Sequence, residues 1–205
     1  TSDLERVLQR QPLKLVYTTP AVQMPTGVAL SDDRRAKLLD LAEVTHTPIL
    51  EDDYEGELRL DDPIRPALKT LDEAGQVITV GTFSKALFPS LRLGYVVAAP
   101  SLLGRLAGVV QASSLAQPAL IQAVLAEWMQ GEGYARHVRR VRREIAERVD
   151  AALEVLGAEM PEGTAVQRPA GGGTLWIRLP EDVEPAELRL AAREAGVRVI
   201  PGDWY

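Results

Sequence analysis

The stretch Gly81-Thr-Phe-Ser-Lys-Ala-Leu-Phe-Pro-Ser-Leu-Arg-Leu-Gly94 sets Lys85 among small hydroxyl residues, with Phe83, Leu87 and Phe88 around it and Arg92 seven positions on. An ammonium ion is costly to bury without a partner, so a lysine in apolar surroundings loses its proton readily. The neutral amine is a nucleophile that forms a Schiff base with an aldehyde. The hydroxyls of Thr82 and Ser84 and the Arg92 guanidinium supply donors for a phosphate. Together these groups point to an aldehyde that carries a phosphate, pyridoxal 5'-phosphate (PLP). Singly, each has a plainer reading: a surface lysine, an exposed arginine before a strand, two hydroxyls capping a helix.

A second group lies upstream. Pro48-Ile-Leu50 leads into Glu51-Asp-Asp-Tyr54, which reads as a buried strand ending in acids. In open parallel sheets ligands bind beyond the carboxyl ends of the strands. A carboxylate there, Asp52, can pair with a protonated pyridine nitrogen and keep such a ring an electron sink. Tyr54, two residues on, is expected on the same side of the extended chain, with its phenol in reach of the cofactor's 3'-oxygen. The competing reading of Glu51, Asp52 and Asp53 is a solvated acidic loop.

These groups need a scaffold that brings strand ends together. Leu13–Thr18, Gln76–Gly81 and Leu93–Ala99 read as further strands. Ser31 reads as the N-cap of a helix with Asp32 and Asp33 in its first turn, ending between Thr45 and Pro48. Strand, loop, helix and strand at these spacings predict an α/β fold with a mostly parallel sheet covered by helices. A helix starts at Pro100 with Ser101 as a candidate cap, another runs from Pro118 to about Gly131, and a long one covers Gly133 to Leu156. Beyond Gly157 the character changes. Gly163–Arg168 is expected to be extended, Gly171–Gly173 a turn, Thr174–Leu179 a strand, Pro185–Ala195 a helix and Val197–Ile200 a last strand. That is a small α+β unit, with the boundary inside the long helix between residues 130 and 157.

Composition excludes several classes. The 205 residues are 46% hydrophobic and 25% charged, an ordinary globular balance, and the net charge of −6 disfavours a nucleic-acid surface spread over the chain. There is no cysteine, hence no disulfide framework, and the two histidines, His46 and His137, lie far apart. No apolar run reaches the roughly 18 residues that span a bilayer, and the first residues do not resemble a signal peptide, so a cytoplasmic protein is expected. Arg136, Arg139, Arg140, Arg142, Arg143 and Arg148 are interleaved with Glu144 and Glu147. That pattern favours a solvated helix face over a nucleic-acid contact.

The segments Glu51–Arg59 and Gly81–Tyr95 resemble the fold type I PLP enzymes, the aspartate aminotransferase superfamily. More closely, they resemble the aminotransferase-like domain of MocR-type regulators in the GntR superfamily. Thr19–Gly27, Ala67–Asp72, Tyr134–Arg143, Gly173–Leu179 and Gly196–Gly202 extend the likeness over nearly the whole chain. The resemblance implies a three-layer α/β sandwich, with 1–132 as part of the PLP-binding large domain and 133–205 as a connecting helix and part of the small domain. It implies PLP held on Lys85, its ring nitrogen paired with Asp52, its 3'-oxygen bonded by Tyr54, and its phosphate held by Thr82, Ser84 and Arg92. Classical aminotransferases have Asn-Pro-Thr-Gly where this chain has Met24-Pro-Thr-Gly27, and Gln23 is the candidate to replace that asparagine.

The family also implies a phosphate loop and a stacking aromatic before Thr1, and a carboxylate-binding arginine beyond Tyr205, so an interior fragment is expected. The implied function is an effector-sensing domain of a transcription regulator. An amino compound would be its effector, a second copy its homodimer partner, and DNA would be contacted only through a domain outside this chain. A genuine aminotransferase and a scaffold or dimerisation fragment without cofactor are the alternatives.

Overall fold

Ile49 and Val77 are fully buried and lie opposite each other in register, and the core is built around them. The computed structural model describes residues 2–61, 64–114 and 118–205. In chain order the first elements are helix α1 (Ser2–Arg10), strand β1 (Val16–Thr18), helix α2 (Asp32–Thr45), strand β2 (Ile49–Asp53), the short helix α3 (Leu68–Leu71), and strands β3 (Val77–Thr82) and β4 (Gly94–Val97). The strands form one sheet in the order β1-β2-β3-β4. The first three run parallel, and β4 is antiparallel to β3. Leu38 and Ala42 of α2 and Leu68 of α3 close on Ile49 and Val77. Leu4, Val16, Leu30 and Leu39 complete that cluster. The sheet is thus mostly parallel, as the spacing predicts; sequence reasoning missed α1, although Leu4, Val7 and Leu8 fall at helical spacing behind Asp3, and α3 is a single turn too short to announce itself.

Helices α4 (Pro100–Ser114), α5 (Ala119–Gln130) and α6 (Glu132–Glu159) follow. Helix α4 begins at Pro100, so Ser101 lies inside it and is not its cap. Proline suits a first helical position because its missing N–H would be unpaired there anyway. The last elements are strands β5 (Ala165–Val166) and β6 (Ile177–Arg178), an antiparallel pair, and helix α7 (Pro185–Glu194). Val197–Ile200, expected as a strand, is not one. The Val197 amide instead donates 2.8 Å back to the Ala192 carbonyl at the end of α7, and Val197 and Ile200 stay exposed. Apolar β-branched residues favour a strand only where a neighbour supplies the ladder, and no strand is hydrogen-bonded to this segment among the described residues.

The C-terminal region is stitched to the loop after β2. Leu60 N–H donates to the Ala170 carbonyl at 2.7 Å, Gly172 N–H to Leu58 at 2.9 Å, and Ala170 N–H to Gly27 at 2.8 Å. Gly171 permits this approach, because a Cβ there would lie 2.6 Å from Val22 Cγ2. Among the described residues no helix is long and apolar enough to cross a membrane, and no group of three or more His, Asp or Glu side chains could hold a metal ion.

Candidate cofactor site

The pleat of β2 sorts its acids by face. Glu51 is fully buried on the core side. Its carboxylate accepts Leu68 N–H at 2.6 Å, Lys69 N–H at 3.1 Å and the Thr79 hydroxyl at 2.7 Å, so it ties the start of α3 to β3. Asp53 pairs with Arg59 at 3.2 Å, both side chains nearly inaccessible. Asp52 alone faces the other way. Tyr17 pairs in register with Leu50, which places it on the Asp52 face, and its hydroxyl donates 2.7 Å to Asp52 Oδ2. That bond to a carboxylate raises the Tyr17 phenol above its ordinary range. Val80 sits opposite Asp52, so Thr82, two residues on, shares the same face at the carboxyl end of β3. Asp52 and Thr82 therefore share one face at the carboxyl ends of β2 and β3, and the solvated-loop reading fails for Glu51 and Asp53.

The lysine turn follows Thr82 directly. Phe83 N–H donates to Leu93 at 3.0 Å, Leu87 N–H to Phe83 at 2.9 Å, and Ser84 N–H to the Thr82 hydroxyl at 3.1 Å. Phe83 is buried with Leu93, Leu125 and Tyr134, and Ala86 is buried as well. The turn sends these two inward and leaves Lys85 exposed. The expected desolvation of Lys85 by its flanking apolar residues is thus not supplied: Phe83 and Leu87 pack into the core, and Phe88 is itself exposed. What Lys85 does meet is Tyr54, whose ring centroid lies 5.9 Å from Nζ. Lys85, Tyr54, Glu55, Thr82 and Tyr95 line one narrow slot.

Tyr54 donates its hydroxyl to the Val22 carbonyl at 3.0 Å. Burial, aided by the nearby Glu55 and Asp52 charges, pushes its phenol far above the ordinary value, so it remains a proton donor. Arg92 is exposed, adopts a left-handed backbone (φ 48°) that closes the Pro89–Leu91 turn, and lines the adjoining cleft with Phe83 and Tyr95. Among the described residues neither Lys85 nor Arg92 makes an ion pair. Ser84 is half-buried between them in sequence and lines neither space. Gln23 does not face the site. Its amide nitrogen donates to the Met24 carbonyl, and its oxygen accepts Thr26 N–H at 3.2 Å and the Thr26 hydroxyl, bracing its own loop.

Sequence reasoning missed Tyr17 and Glu55. Tyr17 is found only once the β1-β2 register is known. Glu55 is buried beside Lys85, with its carboxylate against Gly172. Burial raises its carboxyl above the ordinary range, and the Lys85 charge opposes that. A carboxyl raised on folding contributes stability below its unfolded-state value and loses it as pH rises through the folded one. Glu55→Gln is therefore expected to raise the thermal midpoint at pH 8 by about 2–4 °C and to change it little near pH 4, as melting at both pH values would show.

The arrangement can hold an anion near the hydroxyls and cations after β3, and a protonated ring nitrogen at Asp52. The chain as a whole resembles known proteins. A model of the family described as aminotransferase class I and II matches residues 1–204. Aromatic-amino-acid aminotransferase 1 of Thermococcus litoralis is 35% identical over 94% of this chain and 46% of its own length. The HTH-type transcriptional regulator TauR of Rhodobacter capsulatus is 37% identical over 93% of this chain and 39% of its own. The crystal structure of LysN, the alpha-aminoadipate aminotransferase of Thermus thermophilus complexed with N-(5'-phosphopyridoxyl)-L-leucine, superposes with a TM-score of 0.89 at 35% identity. It covers 98% of this chain and 52% of that one. The chain thus spans about half the length of these relatives or less, and enzymes and regulators are similar to it alike. With a family model matched from end to end and the fold shared at that closeness, the chain is an aminotransferase-like domain and belongs to the class I and II aminotransferase family.

Proposed function

We propose that this domain holds PLP on Lys85 and senses an amino compound as the effector domain of a transcription regulator. The observation that carries the cofactor reading is the pairing of strand ends. Asp52 and Thr82 share one face of the sheet, and the turn that bears Lys85 begins at the next residue. When bound, PLP supplies an aldehyde that condenses with amines and a ring that withdraws electrons. The remaining work belongs to this chain. Asp52, already braced by Tyr17, would hold the proton on the ring nitrogen. Thr82, Ser84 and Arg92 would bind the phosphate. Tyr54 would bond the cofactor's 3'-oxygen, and the Lys85 amine would accept and return protons. Residues 1–132 would belong to the larger, cofactor-binding domain, and 133–205 would supply the connecting helix and part of the smaller one. A homodimer in the cytoplasm, with DNA contacted through another domain, completes this reading.

The regulator reading is favoured by the acid motif, Glu51-Asp-Asp-Tyr54, which has no proline before the tyrosine and to which the MocR-type sequences are alike. The likeness to aminotransferases supports a genuine transamination as the second reading. The full-length protein and its Lys85→Ala variant should be compared for amine-dependent DNA binding and for keto-acid release. Loss of the DNA response in the variant, without sustained keto-acid release by the wild type, is expected. Sustained release would select the aminotransferase reading, and an unaltered response in the variant would overturn the proposal.

A further inference from the structure

Two contacts from the first turns of α6 hold the two loops of the site. Tyr134, buried and edge-on to Phe83 and Trp128, donates its hydroxyl to the carboxylate of Glu57 in the loop after β2. One turn on, His137 Nε2 lies 2.8 Å from the carbonyl of Ala86, the residue after Lys85. A carbonyl only accepts, so Nε2 carries the hydrogen. Arg140 Nη2 lies 3.2 Å from the other ring nitrogen, Nδ1. A guanidinium only donates, so Nδ1 offers its lone pair. Both partners therefore select the same neutral tautomer, and the Trp128 ring 5.6 Å away limits rotation of the imidazole.

The Ala86 carbonyl belongs to the same turn as the Lys85 amide, and Lys85 itself has an exposed side chain that makes no side-chain hydrogen bond or ion pair among the described residues. Its own surroundings do little to fix where the amine stands. The backbone must do so, and the donor that reaches the backbone at this point comes from α6. Farther along, Arg142 Nε donates 3.0 Å to the Arg59 carbonyl, so the same helix also grips the end of the acidic loop.

We propose that His137 is a positioning residue for Lys85: by holding the Ala86 carbonyl, and held in turn by Arg140, it sets the lysine turn against the Asp52–Tyr54 loop. Helix α6 runs on to the β5-β6 pair, so a shift of that C-terminal region reaches Lys85 through this bond. The proposal rests on the reading of Lys85 as the cofactor lysine, and its test separates the two.

The protein is compared with His137→Phe, which keeps a ring beside Trp128 but no donor, and with His137→Gln, which keeps a donor. Amide hydrogen exchange over Ser84–Leu87 and the yield of Lys85 adduct after PLP and borohydride are measured. The phenylalanine variant is expected to exchange about tenfold faster in this segment and to trap about tenfold less PLP, with glutamine within about twofold of wild type. Wild-type exchange in the phenylalanine variant, or equal damage from both substitutions, would overturn the proposal. If the wild type traps no PLP while the exchange pattern holds, the cofactor reading fails and the positioning role stands. Should the phenylalanine variant fail to fold, Arg140→Met serves, since it frees Nδ1. It is expected to speed the same exchange about threefold, and no change would overturn the proposal.

Discussion

Glu51→Ala is expected to cost about 3–5 kcal/mol of stability, the largest effect of any substitution near the site. The side chain is fully buried and its carboxylate accepts three donors: Leu68 N–H, Lys69 N–H and the Thr79 hydroxyl. Alanine leaves all three without an acceptor, the Leu68 amide and the Thr79 hydroxyl where water cannot reach, and each buried orphaned donor costs about 1–3 kcal/mol. It also frees the start of α3, whose Leu68 is a fully buried member of the core. Urea titration followed by circular dichroism measures the loss. An unchanged unfolding midpoint would show that the buried carboxylate is not what fastens α3 to the sheet.

Its neighbour is expected to behave in the opposite way. Asp52 is half-buried on the other face, its one side-chain partner among the described residues is the exposed Tyr17, and no core residue depends on it. Asp52→Ala should leave stability within about 1 kcal/mol of wild type. It should weaken PLP capture about 10- to 100-fold, the range expected when a charge-assisted hydrogen bond to a ring nitrogen is removed. A PLP titration followed by visible absorbance gives the ratio. Equal affinity in the variant would remove Asp52 from the site. Adjacent acids would thus separate a structural role from the proposed binding one, and the separation comes from the two-residue period of the strand.

How far such roles are legible in the sequence depends on what each one needs. The placement of Asp52 and Lys85 at neighbouring strand ends is legible because both follow apolar runs that predict parallel strands, and strand ends of one sheet converge. The division of labour within Glu51-Asp-Asp53 is not, because it depends on which face of β2 meets α3 and Arg59. Tyr17 is hidden for a similar reason, since its contact with Asp52 is a matter of register between strands 35 residues apart at the contact. Lys85 shows the opposite failure. Its apolar neighbours read as a desolvating shell, yet a tight turn sends Phe83 and Ala86 inward and the lysine outward. Val197–Ile200 has the composition of a strand, and no strand pairs with it among the described residues. The arginines of α6 read correctly as a solvated face, with Arg136, Arg140 and Arg143 beside glutamates one turn away, while Arg142 is turned onto the Arg59 carbonyl.

The most direct test of the cofactor site is chemical. The protein is incubated with PLP, reduced with borohydride, digested, and mapped by peptide mass. The expected result is a phosphopyridoxyl group on the peptide that contains Lys85, lost in Lys85→Ala, with Lys14, Lys37 and Lys69 essentially unlabelled. Of these, Lys37 and Lys69 are held in ion pairs with Glu5 and Asp72, and neither lines the slot that Lys85 shares with Tyr54. Labelling spread evenly over the four lysines, or none at Lys85, would contradict the assignment of this site.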